Sequence, residues 1–357
     1  MRRLLVVTYG NWNFVNPVVD HYEAMPTVEV RRLDVSDRTT PSLPLSANKL
    51  VNERLFGPAD ARSQPWAANL AGQLDWCDTV WVEWGHRTAV LLSLLDPGTT
   101  RVVVRLHSYE IFTAFPQMVD WSRVDDLVLV GDHLRTFVEQ VVPAVTSGPS
   151  RHVLPNAMDL QRFAVAKDST ARHVIGLIGW SVVAKDPIWA LDVLARLREH
   201  DPAYRLMLVG HPFDATVSVA SGQYGARLAA RLARSDVAGA VVRAGQTSDV
   251  PKTLQGIGTI LSSSVREAAP QSVVEGAASG AVPVVRNWPM LARYGGAHAI
   301  FPDSWVVDNV DAAAQRIIDM TGDEQTWRDA GDAASAHAME KFDWVAVAPQ
   351  YDRLLRA

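Results

Sequence analysis

At 357 residues the chain exceeds the roughly 250–300 residues at which one hydrophobic core stops growing, so two domains of ordinary size are expected. A formal net charge of −5 with 48% apolar residues excludes a disordered chain and a nucleic-acid partner tracked along its backbone. The single cysteine, Cys77, excludes an intrachain disulfide and a thiolate metal cluster, and is compatible with a reducing cytosol.

The first apolar run is too short for a secretory-signal core and lacks a small-residue cleavage site, so Leu4 to Thr8 reads as a buried strand. It empties into Thr8-Tyr9-Gly10-Asn11-Trp12-Asn13, where Gly10 permits close backbone approach to a phosphate or an acceptor. Further β-branched runs of the kind that fill two-sided parallel sheets lie at Val28 to Leu33, Thr79 to Glu83, Val102 to Leu106 and Leu127 to Val130. Glu83-Trp84-Gly85-His86 ends one of these strands, and Arg105-Leu106-His107-Ser108-Tyr109-Glu110 ends another. In an open α/β sheet ligands bind beyond the carboxyl ends of the strands, which puts His107 at that edge; a lone histidine is otherwise more often structural.

A Pro-, Gly- and Ser-bearing stretch from Pro143 to Ser150, then Leu154-Pro155-Asn156, marks a boundary, with a hinge expected between Asn156 and Ala171. The second half repeats the pattern with strands at Val174 to Ile178, Arg205 to Val209, Val241 to Arg243, Thr259 to Ser262 and Val282 to Val285. Amphipathic segments such as Trp189 to Glu199 and Arg227 to Arg234 separate them. Strands alternating with helices predict an α/β fold with a parallel sheet in each half. No run approaches the roughly 20 apolar residues of a membrane span, although peripheral membrane contact through a surface helix stays open.

The most informative stretch runs from Ser262 to Val285 and reads as strand, polar loop, helix and strand. Ser272 and Glu275 have the Ser-x-x-Glu spacing of a capping box and Gly280 is placed to end the helix, so the helix is expected to open at Ser272. A helix start offers unpaired amides and a partial positive charge, which suit a diphosphate. Glu267 in the loop and Glu275 one turn into the helix are carboxylates of the kind that accept from vicinal hydroxyls. Taken singly, Glu275 reads as the N3 member of a cap and Glu267 as a solvated loop residue; the two carboxylates eight apart, with Pro270 and Ser272 between them, favour a site.

On these residues the sequence resembles family 4 of the retaining glycosyltransferases, whose GT-B fold has two Rossmann-like domains facing each other across a cleft. Glu267 and Glu275 match its Glu-x7-Glu motif, and Pro270 and Ser272 match the usual intervening residues. The resemblance implies that Glu267 holds donor-sugar hydroxyls and Glu275 the nucleotide ribose, with Gly10, Ala269, Pro270, Gln271 and Ser272 also at the donor. Lys185, in the loop after Val174 to Ile178, would face the diphosphate, and His107 would line the sugar near the reacting centre. Trp180 stands where the family carries an arginine, and Ala268 where a glycine is common; Leu154-Pro155-Asn156-Ala157-Met158-Asp159-Leu160-Gln161-Arg162-Phe163 looks like the interdomain segment.

The implied domains are 1–160, on the acceptor side and carrying a returning helix at 344–357, and 161–343, binding the nucleotide sugar. The implied activity is retaining, metal-independent transfer in the cytoplasm of a sugar from a nucleotide diphosphate to a hydroxyl acceptor. No cofactor is expected, the nucleotide sugar being substrate, and no metal, since the chain has no Asp-x-Asp pair and no His/Cys cluster of ligand spacing. A 2-epimerase-like enzyme and a nucleotide-sugar-binding protein that has lost catalysis remain alternatives on the same fold. Donor sugar, base, acceptor and oligomeric state stay open.

Overall fold

The computed structural model describes residues 1–36 and 43–356. The chain forms two compact units, Met1–Met158 with Val347–Ala357, and Asp159–Ala346. The division after Met158 falls within the Asn156 to Ala171 stretch singled out by composition.

In the first unit the strands are β1 (Arg2–Thr8), β2 (Val28–Asp34), β3 (Thr79–Glu83), β4 (Arg101–Leu106), β5 (Asp126–Leu129) and β6 (Ser150–Val153). They pair in the order β2-β1-β3-β4-β5-β6, all parallel, with Leu4 opposite Thr79 and Val80 opposite Val102. Leu4, Leu5, Val6 and Val7 are all buried, because helices cover both faces of a parallel sheet and neither parity of side chain meets water. β6 was not foreseen: its residues, Ser-Arg-His-Val, are mostly exposed at the sheet edge, so no apolar run announces it.

The second unit holds β7 (Val174–Ile178), β8 (Arg205–Val209), β9 (Val241–Gly245), β10 (Thr259–Ser262), β11 (Val282–Arg286) and the short β12 (Val306–Val307). Their order is β12-β11-β10-β7-β8-β9, again all parallel. Its core gathers Trp180, Trp189, Leu194, Leu208, Tyr224 and Ile317, with the helix Pro187–His200 packed on the sheet. Strand order reverses between β1 and β3 and between β7 and β10, and a crevice opens at the carboxyl ends where neighbouring connections diverge.

The expected helix start at Ser272 needs correction. The helix spans Gln271–Ala278, its N-cap is Pro270, and no side chain caps it. Pro270 takes an extended ψ of 99°, which places the non-helical entry there, so Ser272 already lies inside the first turn and cannot pair with Glu275 as a capping box. The C-terminus follows expectation: Gly280 takes φ +78°, its amide donates to the Ala277 carbonyl at 2.9 Å, and the Ala281 amide reaches the Gly276 carbonyl at 3.0 Å. Of the segment Arg227 to Arg234, all but its last two residues form the end of a longer helix, Val219–Leu232, capped by Ser218. The last helix, Trp344–Arg356, joins the first unit through Tyr22 Oη donating to Asp352 at 3.0 Å and Tyr351 Oη donating to the Pro155 carbonyl at 2.7 Å.

Gly276 is where the helix Gln271–Ala278 lies closest to β10: a Cβ there would sit 2.6 Å from Ile260 Cβ. Gly276→Val is therefore expected to destabilise the fold by about 1–3 kcal/mol through overpacking, read as a lower urea midpoint. An unchanged midpoint would show that this contact has slack.

Candidate functional site

At the carboxyl edge of the second sheet, the loop after β7 and the loop after β10 are tied together. The Val265 amide donates to the Ala184 carbonyl at 2.9 Å and Ser263 Oγ to the Lys185 carbonyl at 2.5 Å. Lys185 Nζ donates to Glu267 Oε1, which also accepts from Ser264 Oγ at 2.7 Å. The two residues expected to touch diphosphate and sugar thus hold each other, half-buried, in the chain by itself.

Beside them lies a pair that sequence reasoning missed. Arg286, the last residue of β11, donates to Asp186 Oδ2 at 2.7 Å and to the Ser263 carbonyl at 3.2 Å. Asp186 has a left-handed φ of +41° and also accepts from Tyr224 Oη at 2.7 Å. A charged residue closing an apolar β-branched run was the available signal for Arg286. Trp180, at the family's arginine position, is turned into the core with 4% exposure. Arg266 is half-buried in the β10 loop.

The helix Gln271–Ala278 starts from this loop. With Pro270 as N-cap, no side-chain oxygen meets the amides of Gln271 and Ser272, leaving them as orphan donors of the first turn. Glu275 projects one turn in. Burial pushes its carboxyl up to about 6, opposed by the charge of Arg162, and no hydrogen bond or ion pair engages it among the described residues. An ionisable group held off water without a partner is costly unless a ligand supplies one. Ala269 is half-buried and Pro270 buried at the mouth of this turn.

In the first unit, the loops after β1, β3 and β4 meet. Trp84, with a left-handed φ of +71°, donates its indole N–H to the Asn11 carbonyl at 2.9 Å. His107 is 4% exposed, its ring centroid 4.5 Å from that of Trp84 and 5.0 Å from that of Phe14. Its Nε2 lies 2.8 Å from Glu83 Oε1. The same oxygen accepts from Arg105 Nη2 at 2.9 Å, and Arg105 Nη1 donates to Tyr351 Oη at 2.9 Å. Burial alone would raise Glu83, but Arg105 and His107 bring it down to about 2; burial holds His107 below its ordinary value despite Glu83. His107 is therefore a fixed, enclosed ring positioned by Glu83, Arg105 and Tyr351; the sequence put Glu83 and Arg105 at strand ends but gave no sign that Tyr351, in the last helix, would join them. The Gly10 amide is committed to Asp34 Oδ1 at 2.9 Å, so Gly10 has only its Cα and carbonyl to offer a ligand.

Lys185, Glu267, Ala269, Pro270, Gln271, Ser272 and Glu275 thus share one edge of the second unit, and His107 and Gly10 one edge of the first. Among the described residues no group of three or more His, Cys, Asp or Glu side chains is arranged to hold a metal ion. Among the same residues no helix is long and apolar enough to cross a membrane.

No protein-family model matches the sequence, and no match to a curated protein reaches significance. Solved structures do match the fold. The chain is similar to HepE of Anabaena, solved with UDP, with UDP and glucose, and with UDP-glucose, at 16% identity, TM-score 0.71 and 100% of both chains. A glycosyltransferase of Rickettsia africae matches at 13% identity and TM-score 0.71, over 99% of this chain and 97% of that one. TarM matches at 12% identity and TM-score 0.60, over 78% of this chain and 55% of its own length. These likenesses establish the GT-B fold.

Glu110 offers a pH test of the first unit's edge. Its Oε1 accepts from the amides of Gly85 and His107 at 3.0 and 2.9 Å, and burial pushes its carboxyl up to about 8. The fold keeps a proton there that the unfolded chain releases near pH 4.5, so stability falls as pH rises from about 4.5 to 8. Glu110→Gln, which keeps the oxygen acceptor and removes the ionisation, is expected to flatten that decline in urea titrations at pH 5 and pH 8. A decline equal to that of the wild type would show that Glu110 ionises freely in the fold.

Proposed function

We propose that the chain is a retaining, metal-independent glycosyltransferase of family 4, moving a sugar from a nucleoside diphosphate to a hydroxyl acceptor. The observation that carries this reading is Glu275: a half-buried carboxylate with no partner among the described residues, one turn inside an uncapped helix start. The orphan amides of Gln271 and Ser272 suit a pyrophosphate, and Glu275 then lies one turn deeper, where a ribose diol donates two hydrogen bonds to it. Nucleotide-bound HepE, on the same fold, supports a nucleotide-sugar donor.

The chemistry follows from charge. As the glycosidic C–O bond breaks, negative charge grows on the diphosphate, and Lys185 with the helix start stabilises it without reorganising. Lys185 is then shared between the diphosphate and Glu267, whose carboxylate accepts from the sugar hydroxyls. Arg286 provides a second cation near the loop, in partial compensation for Trp180. The acceptor hydroxyl attacks from the face the diphosphate leaves, a phosphate oxygen takes its proton, and the configuration is retained. His107, with Nε2 committed to Glu83, is a fixed ring and does not act as the base. Ala269 and Pro270 wall the pyrophosphate.

A second reading, a nucleotide-sugar-binding protein without catalysis, draws on Trp180, which removes one cation from the loop. Calorimetric titration with nucleoside diphosphates and their sugar conjugates separates the readings when combined with product analysis. We expect the wild type to bind one nucleotide, Glu275→Ala to weaken it about tenfold or more, and wild-type affinity to drop as pH falls through about 6, where Glu275 gains a proton. Lys185→Ala is expected to cut transfer more than binding. If no nucleotide binds the wild type, the donor reading is wrong; binding without transfer to any acceptor favours the second reading, and turnover with no acceptor present a 2-epimerase-like enzyme.

A further inference from the structure

The carboxyl edge of the first sheet holds a cavity that the donor reading leaves unused. It measures about 400 Å³ and is lined by Tyr9, Asn11, Trp84, His86, Arg87 and Tyr109. That volume falls in the range of small-molecule sites. It lies at the ends of β1 and β3, where the strand order reverses.

The cavity is built, not incidental. Trp84, a bulky residue in left-handed backbone, costs on the order of 1–3 kcal/mol, and such strain persists only where surrounding contacts hold it. Here the indole hydrogen bond to the Asn11 carbonyl and the tilted ring contact with His107 hold it, and the turn after Trp84 delivers His86 and Arg87 to the wall.

Its charge is one-sided. Arg87 is half-buried, with its guanidinium carbon 5.0 Å from the Phe115 ring centroid and 5.9 Å from that of Tyr9. Among the described residues no carboxylate and no hydrogen-bond acceptor engages it, and ring faces leave the in-plane N–H groups unsatisfied. Among the described residues, none that lines the cavity is acidic. Described acidic groups beside the lining are committed elsewhere: Glu83 to Arg105 and His107, Glu110 to the Gly85 and His107 amides, Asp34 to Gly10, Trp12 and Ser36. His86 is 7% exposed, its Nδ1 lacks a partner, and burial together with Arg87 pushes it down to about 4, so at neutral pH it adds hydrogen-bonding atoms and no charge. Tyr9 and Tyr109, 36% and 68% exposed, give flat apolar walls for the C–H face of a sugar or polyol.

We propose that this cavity is the acceptor subsite and that it selects a hydroxylated acceptor carrying a carboxylate or phosphate group, with the Arg87 fork as the anion's partner. The inference rests on the transferase reading above. A guanidinium matches either anion through two parallel N–H bonds, which a neutral acceptor cannot reproduce.

The test is a ligand-observed NMR titration of the full chain with two matched pairs, methyl glucuronide against methyl glucoside and glycerol 3-phosphate against glycerol. Wild type should bind the charged member of at least one pair about tenfold more tightly. R87Q should erase that preference, and R87K should keep part of it, having the charge without the fork. UDP affinity, measured in parallel, should be equal in all three proteins, which shows that the donor side and the fold are intact. A preference in only one pair supports the proposal and names the anion. Equal affinities within both pairs, no measurable binding of either anion, or a preference that survives R87Q overturns it. UDP binding without an anion preference sinks this inference alone, whereas an anion preference in a protein that binds none of the nucleoside diphosphates titrated above sinks the donor reading.

Discussion

Parallel pairing throughout both sheets is the constraint from which the chemistry of this chain follows. A parallel strand must be re-entered by a crossover, so helices blanket both faces and every loop after a strand emerges at the same edge. The residues brought to that edge are therefore those that close strands: Tyr9 to Asn11 after β1, Trp84 to Arg87 after β3, His107 after β4, Lys185 after β7, Glu267 after β10 and Arg286 at the end of β11. The order reversals between β1 and β3 and between β7 and β10 then decide which of those loops stand apart enough to admit one.

Charge at the two edges is handled differently. In the second unit Lys185 and Glu267, and Arg286 and Asp186, neutralise one another across loops. Such partly exposed pairs contribute little to stability. Glu275 and Arg87 are half-buried with no opposite charge in contact among the described residues. On the proposals made above, a hydroxyl donor would meet the carboxylate and an anion the guanidinium.

Beneath the first unit's edge, Glu83 and Arg105 are fully buried and bonded to His107 and Tyr351. A buried pair of this kind rarely adds net stability, because desolvation offsets most of its Coulomb energy. What it supplies is orientation. It fixes the His107 ring and ties the helix Trp344–Arg356 to the sheet through Tyr351, whose hydroxyl also reaches the Pro155 carbonyl. Removal of either charge would leave the other stranded, so the network acts as a unit.

Local patterning determined much of this protein. Runs rich in β-branched and aliphatic residues mark the strands, most of them buried on both faces, and ten of the strands stand within two residues of where such runs lie, among them Thr79–Glu83, Val174–Ile178 and Thr259–Ser262. Gly280 ends its helix as its freedom at positive φ requires. β6 and β12 were silent because an exposed edge and a two-residue bridge need no apolar run, and the helix start moved to Gln271 because Pro270 takes the N-cap that Ser272 was expected to hold. Spacing could bring Glu267 and Glu275 to one loop and helix, since they are near neighbours along the chain. It could not pair Lys185 with Glu267, turn Trp180 inward, bring Arg286 to Asp186, enclose His107 with Glu83, or place Arg87 in a cavity with Tyr9. Those contacts join residues tens to hundreds of positions apart, or fix a side chain's direction, and only packing in three dimensions chooses among the partners that burial and charge would each accept.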